Sequence, residues 1–142
     1  VAFDAEDLIE IQMLASRLAQ ASDDCDEKAY RECLADFVTT VNQRGNVMEM
    51  PADEYASGCV ARVAAMDWTH HQLGNAVIEP GLVSGTASAR IDVVVHVAVR
   101  DRVGTEIRRI MGGRYELGLI RTKDGWRIAR RTLQRRYEFP AR

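Results

Sequence analysis

The chain has 142 residues, enough for one domain spanning 1–142 to bury a core without disulfides or metals. Its 46% hydrophobic and 28% charged residues are a globular composition, which excludes disorder as the main state. A formal net charge of −2 leaves no global basic field for nucleic acid, and no apolar run approaches the roughly 20 residues of a membrane span.

The first half of the chain reads as helices and the second half as strands, which points to an α+β architecture. From Asp4 to Ser22, the residues Leu8, Ile11, Ala15, Leu18 and Ser22 recur at helical spacing and predict one buried stripe. Asp23 falls near the edge of that stripe, and Asp24 points away from it. Asp26 has the character of an N-cap for a second helix containing Ala29, Tyr30, Cys33, Leu34 and Phe37. Val38–Met50 carries the turn signal Arg44-Gly45-Asn46 and predicts a short hairpin. Pro51 opens a third helix at its first turn, with Tyr55, Cys59, Val63 and Met66 along its buried side.

From Trp68 the period changes to two. Trp68–Glu79 is the first long strand, stopped by Pro80-Gly81. Thr86–Arg100 is the second, with Ile91, Val93, Val95, Val97 and Val99 on one face and Asp92, Val94, His96 and Ala98 on the other. Thr105–Arg121 and Trp126–Tyr137 complete an antiparallel meander, with Gly112-Gly113 marking a bulge or bend. Three helices beside a curved meander can enclose a pocket. The valine-rich face of Thr86–Arg100 is expected to need cover, so a homo-oligomer, dimer or trimer, is expected.

The candidate chemistry lies in histidines. His70 and His71 must point to opposite faces, and His71 shares its face with Leu73, Asn75 and Val77, the better pocket wall. His96 sits in a valine-rich strand, where a polar group needs a partner or a purpose. Asp92, two pleats away at about 13 Å, is too far to serve it. A backbone-bonded core histidine is the bland alternative at both positions. The spacings HxH, HxxxH and HExxH are missing, as are a Cys/His metal spacing, a phosphate loop and a nucleophile elbow, so no metal or cofactor is expected. Cys25, Cys33 and Cys59 read as small buried residues in a reducing compartment, and the location expected is cytoplasmic. No stretch resembles a signal peptide; with Val1 first, an initiator Met or short leader is expected to precede it.

Taken in order, Ile11-Gln12-xx-Leu14 leading to Asp23, the Asp26 cap, Thr69-x-His71-xxx-Asn75, Gly113-Arg114-Tyr115 and Asp124-Gly125-Trp126-Arg127-Ile128 resemble the SnoaL-like branch of the nuclear-transport-factor-two-like superfamily. That resemblance covers nearly the whole chain. It implies three N-terminal helices packed on a strongly curved antiparallel sheet, a cone-like, cystatin-like roll with an internal pocket. In catalytic members an Asp at the end of the first helix orients a His on the first long strand, and Asp23 and His71 match those positions. His96 resembles the second histidine of scytalone dehydratase, and Arg131 matches an arginine of hexachlorocyclohexane dehydrochlorinase five residues past the strand Trp. A tyrosine that some dehydratases carry shortly before the Asp has no counterpart among Leu18, Ala19 and Ser22.

The implied function is a cofactor-independent lyase of the dehydratase type, or an isomerase, with His71 as general base and Asp23 fixing its tautomer. His96, Arg131 and Tyr115 would meet developing negative charge, while Met66, Met111, Val94 and Leu73, with Asn75, would wall a small hydrophobic cyclic or aromatic substrate. The alternative is a non-catalytic ligand-binding or assembly module, in which Asp23–His71 only ties helix to sheet.

Overall fold

A computed structural model describes residues 2–42 and 44–140; what stands at or before Val1 lies outside them. The first helix, α1, runs Ala5–Asp23. Asp4 caps it: its carboxylate accepts from the N–H groups of Glu6 and Asp7, and the Asp7 carboxylate accepts from the Asp4 N–H, so orphan donors at the helix start are satisfied reciprocally. The buried stripe is Asp7, Ile11, Leu14, Ala15, Leu18, Ala21 and Ser22. Leu8, expected on it, is exposed. Asp7 takes that place because it is fully partnered: Trp126 Nε1 donates to it at 2.8 Å and Arg121 Nη2 lies 2.9 Å away.

Helix α2 spans only Glu27–Glu32, capped by Asp26, whose carboxylate accepts from the Ala29 N–H. Leu34 and Phe37 belong instead to strand β1, Leu34–Val41. The β-branched run Val38-Thr39-Thr40-Val41 favours extended backbone. Leu34 and Val38 are both buried, and a separation of four places two residues on one face of a strand as well as of a helix. Strand β2, Val47–Pro51, forms the expected hairpin with β1, and α3 follows as Ala52–Ala64 with Pro51 at its N-cap position.

The long strands are β3 Trp68–Pro80, β4 Thr86–Arg100, β5 Glu106–Thr122 and β6 Gly125–Phe139. The sheet order is β2-β1-β6-β5-β4-β3. It is mixed rather than antiparallel throughout, because β1 returns from the helices to lie parallel beside β6. The three helices pack on one face, and their shared core includes Ile11, Leu14, Tyr30, Tyr55, Ile91, Val93, Leu119, Trp126 and Ile128. The valine-rich face of β4, on which self-association was expected, is this inner face: Ile91, Val93 and Val95 are buried in the core within the molecule, so the helices cover it instead of a second copy. Cys33 and Cys59 are buried, but Cys25 is exposed in the turn after α1, at a positive φ of 53°. No helix among the described residues is long and apolar enough to cross a membrane.

Bulges decide which side chains face the helices. In β3, Gly74 and Asn75 together oppose Asp92. In β6, Ala129 is extra between Ile128 and Arg130, and Arg136 is extra opposite Gly112-Gly113. The glycine pair is required there: a Cβ on Gly113 would stand 2.3 Å from the Gln134 carbonyl oxygen.

Candidate active site

Asp23 is the last residue of α1, and it reaches across to β3. Thr69 and His71, two apart on that strand, both face inward. Thr69 Oγ1 donates to Asp23 Oδ1 at 2.7 Å, and the His71 N–H donates to Asp23 Oδ2 at 2.9 Å. The third bond joins His71 Nδ1 to Asp23 Oδ1 at 2.6 Å. A carboxylate only accepts, so Nδ1 carries the proton, and in the neutral ring Nε2 is the nitrogen with the lone pair. Both side chains are largely shielded, at 11% and 15% exposure.

His71 lines a cavity of about 310 Å³ between the helices and the sheet. Val95, Val97 and Met111 supply its sheet wall, and Met66, Val63 and Cys59 its helix wall. Tyr30, Ser22 and Arg131 also line it. A smaller space of about 20 Å³, large enough for one water, is also lined by His71, Arg131 and Tyr115. The two spaces place His71 and Arg131 on common ground.

Arg131 donates from Nη1 to the Tyr55 hydroxyl at 3.0 Å, and its guanidinium lies 4.4 Å from the centroid of the Tyr115 ring. Its Nε is buried with no hydrogen-bond partner among the described residues. Burial opposes its charge, but the surrounding phenol groups of Tyr115, Tyr30 and Tyr55 outweigh that and raise its pKa well above the ordinary value. Burial pushes the phenols of Tyr30 and Tyr55 up in turn, which keeps them protonated.

The residues singled out from the sequence thus divide. Asp23, His71, Arg131, Met66 and Met111 come together around the cavity, and Tyr115 sits against Arg131. His96 does not join them. It is paired across the ladder with His70, between Val95 and Val97 whose side chains line the cavity, so its ring is on the outer face. Val94 faces outward for the same reason. Asn75 is also outside: the β3 bulge turns it over, and its amide donates to Asp92 at 3.3 Å. Arg114 holds the other oxygen of Asp92 at 2.7 Å, and this pairing lowers the Asp92 pKa. Sequence reasoning missed the part played by Thr69, although it lies two residues from His71 on the same face. Arg109 was missed too; counting back in twos from buried Leu119 and Leu117 reaches it. Among the described residues no group of three metal-ligating side chains occurs.

The family model of the SnoaL-like domain matches residues 4–132. The chain belongs to the SnoaL-like family. Among solved structures, this SnoaL-like chain is similar to a protein of Kribbella flavida at 27% identity, with 96% of each chain covered and a TM-score of 0.84. It also resembles a candidate scytalone dehydratase from Novosphingobium aromaticivorans at 13% identity, covering 95% of this chain and 87% of the other with a TM-score of 0.81. A hexachlorocyclohexane dehydrochlorinase matches at 16% identity, covering 98% and 94%, with a TM-score of 0.77. The last two likenesses are of fold. No curated protein matches the chain in sequence.

Proposed function

We propose that the protein is a cofactor-independent lyase or isomerase acting on a small cyclic or aromatic substrate. The observation that carries this reading is the 2.6 Å bond from His71 Nδ1 to Asp23, made at the wall of a cavity with apolar and cationic lining. With Nδ1 committed, Nε2 is the nitrogen that takes a proton from carbon. In an elimination the C–H electron pair becomes the new double bond, and the leaving group departs with its own bonding pair. In an isomerisation the same imidazolium returns the proton to another carbon. Asp23 stabilises the imidazolium and holds its orientation. Arg131 meets the negative charge that develops on the substrate or leaving group, in a site where water does not screen it. Tyr55 and Tyr115 position that guanidinium. His96 has no part in this reading. The dehydratase and dehydrochlorinase among the structural neighbours are named for eliminations, which supports the reaction class.

The test is turnover on a panel of hydroxylated and halogenated ring compounds, with His71→Ala beside the wild type. Loss of the base should lower the rate about 10²–10⁴-fold. Turnover that survives the substitution removes His71 as the base.

One observation favours a binding module instead. Asp23 accepts three hydrogen bonds from β3, which by itself ties α1 to the sheet. An imidazole that never titrates in NMR and ignores every ligand would favour that structural role.

A further inference from the structure

The cavity is lined by four guanidinium groups, those of Arg62, Arg109, Arg131 and Arg135, and by one carboxylate, Glu138, in a chain whose net charge is −2. Arg135 is paired with that carboxylate at 3.4 Å. Arg62 spends its Nη2 on the Cys59 thiol at 3.2 Å, a weak acceptor, and Arg131 donates to a neutral phenol. The Nε atoms of Arg109 and Arg131 are both buried without a hydrogen-bond partner among the described residues. Burying a guanidinium beside apolar walls is costly unless an anion or a full set of acceptors meets it. Arg109 stands one pleat beyond Met111 on β5, opposite Val97, so its charge lies along the same wall as the apolar surface. Arg62, Arg131 and Arg135 also border an adjoining cleft, to which Arg136 adds a further positive charge.

From this we infer that the ligand is itself an anion in its ground state: a ring-sized carboxylate whose ring lies on Val95, Val97 and Met111 and whose charge is held by Arg109 and Arg62. The inference rests on reading this cavity as the substrate site, and not on His71 acting as a base. Planar guanidinium forks match a carboxylate by paired N–H donors, which selects it over a neutral group of equal shape. The cavity volume of about 310 Å³ sits at the low end of ligand pockets, which suits one or two rings. The positive cleft would guide such an anion inward.

The experiment compares benzoate with its neutral isostere benzamide by calorimetry on the intact protein. Benzoate should bind about ten- to a hundredfold more tightly, the size of a charge-assisted contact. That preference should fall about tenfold in Arg109→Met and in Arg62→Met and persist in His71→Ala. Equal affinity of the two compounds for the wild type, including no binding of either at millimolar concentration, overturns the inference. So does a preference that survives in the Arg62→Met/Arg109→Met double variant. Neither result touches the His71 dependence of turnover, so the two proposals fail separately.

Discussion

Replacing Asp23 by Asn tests the dyad without removing a side chain. The amide offers one acceptor and one donor where the carboxylate has two acceptors. The His71 backbone N–H, a donor fixed by the β3 ladder, points at Oδ2, so the amide oxygen must occupy that position. The NH₂ then falls at the Oδ1 position, facing Nδ1 of the ring. Two donors cannot meet there, so the imidazole gives up its Nδ1 proton and moves it to Nε2. Thr69, whose hydroxyl can rotate, changes from donor to acceptor and keeps its bond. The prediction is therefore small structural damage, about 1 kcal/mol, the net worth of one hydrogen bond. The catalytic effect is large, because the nitrogen facing substrate no longer carries a lone pair. The rate should fall about 10²–10⁴-fold, equivalent to about 3–5 kcal/mol on the barrier. Long-range ¹⁵N–¹H NMR reads the tautomer directly and needs no substrate: the wild-type ring should be Nδ1-protonated and the Asp23→Asn ring Nε2-protonated. An unchanged tautomer, or a changed tautomer with undiminished turnover, refutes the reasoning.

Asp7 governs acid stability. The hydrogen bond from Arg121, and then that from Trp126, lower its pKa from the ordinary 3.8 to about 2. A carboxyl whose folded pKa is depressed stabilises the fold fully above the unfolded value and loses that contribution as pH falls through the folded one. Wild type should lose stability between about pH 4 and pH 2 more steeply than Asp7→Asn, as read from urea midpoints across that range; parallel pH curves would show that Asp7 is not linked to folding. Gly113→Ala forces a Cβ to within 2.3 Å of the Gln134 carbonyl oxygen, backbone that cannot yield without opening the β5–β6 ladder. A cost of about 1–3 kcal/mol, or a fall of about 3–10 °C in Tm by calorimetry, is expected, and an unchanged Tm would contradict the required close approach. Gly58→Ala, in the interior of α3, is its control: the new Cβ meets only Arg62 Nη1 at 3.8 Å. Better helix propensity should then stabilise the protein by about 0.5–1 kcal/mol, and a loss of stability would refute that expectation.

Legibility of the fold followed the strength of local signals. Asp26 has the character of a cap before a helical run and does cap, while Asp4, expected as the start of the first helix, caps it one residue earlier. The long strands are bounded by Pro80-Gly81, by Asp101–Gly104 and by Lys123-Asp124-Gly125, and each starts and stops within two residues of its expected limits. The second helix was overextended because Tyr30, Cys33, Leu34 and Phe37 fall at i, i+3, i+4 and i+7, although Leu34 and Phe37 lie on β1 and Phe37 is exposed there. What makes the segment a strand is its pairing with β6, some ninety residues away, and that has no signature within the segment.

Within the site, the decisive variable is the number of bulges between a recognised residue and the one inferred from it. Alternation holds only while no residue is inserted, since each insertion exchanges the two faces of the strand. From His71, two residues back reaches Thr69 with no bulge between, and both face the cavity. Four residues forward reaches Asn75, but the extra residue of the Gly74-Asn75 bulge intervenes, and the side chain emerges on the opposite surface. From Trp126, five residues is an odd step that should carry Arg131 outward; the extra Ala129 restores it to the side of the core. Gly74 and Gly112-Gly113 announce their bulges as glycines inside strands, whereas Ala129 carries no such mark. Arg131 was therefore reachable through family resemblance but not through periodicity. His96 fails for a different reason. No bulge lies between it and Val93 or Val95 on β4, so its side of the strand was determined once the valine face was recognised as the buried one. A histidine alternating with a row of core valines belongs to the surface opposite the helices, and its resemblance to a catalytic position has to yield to that parity.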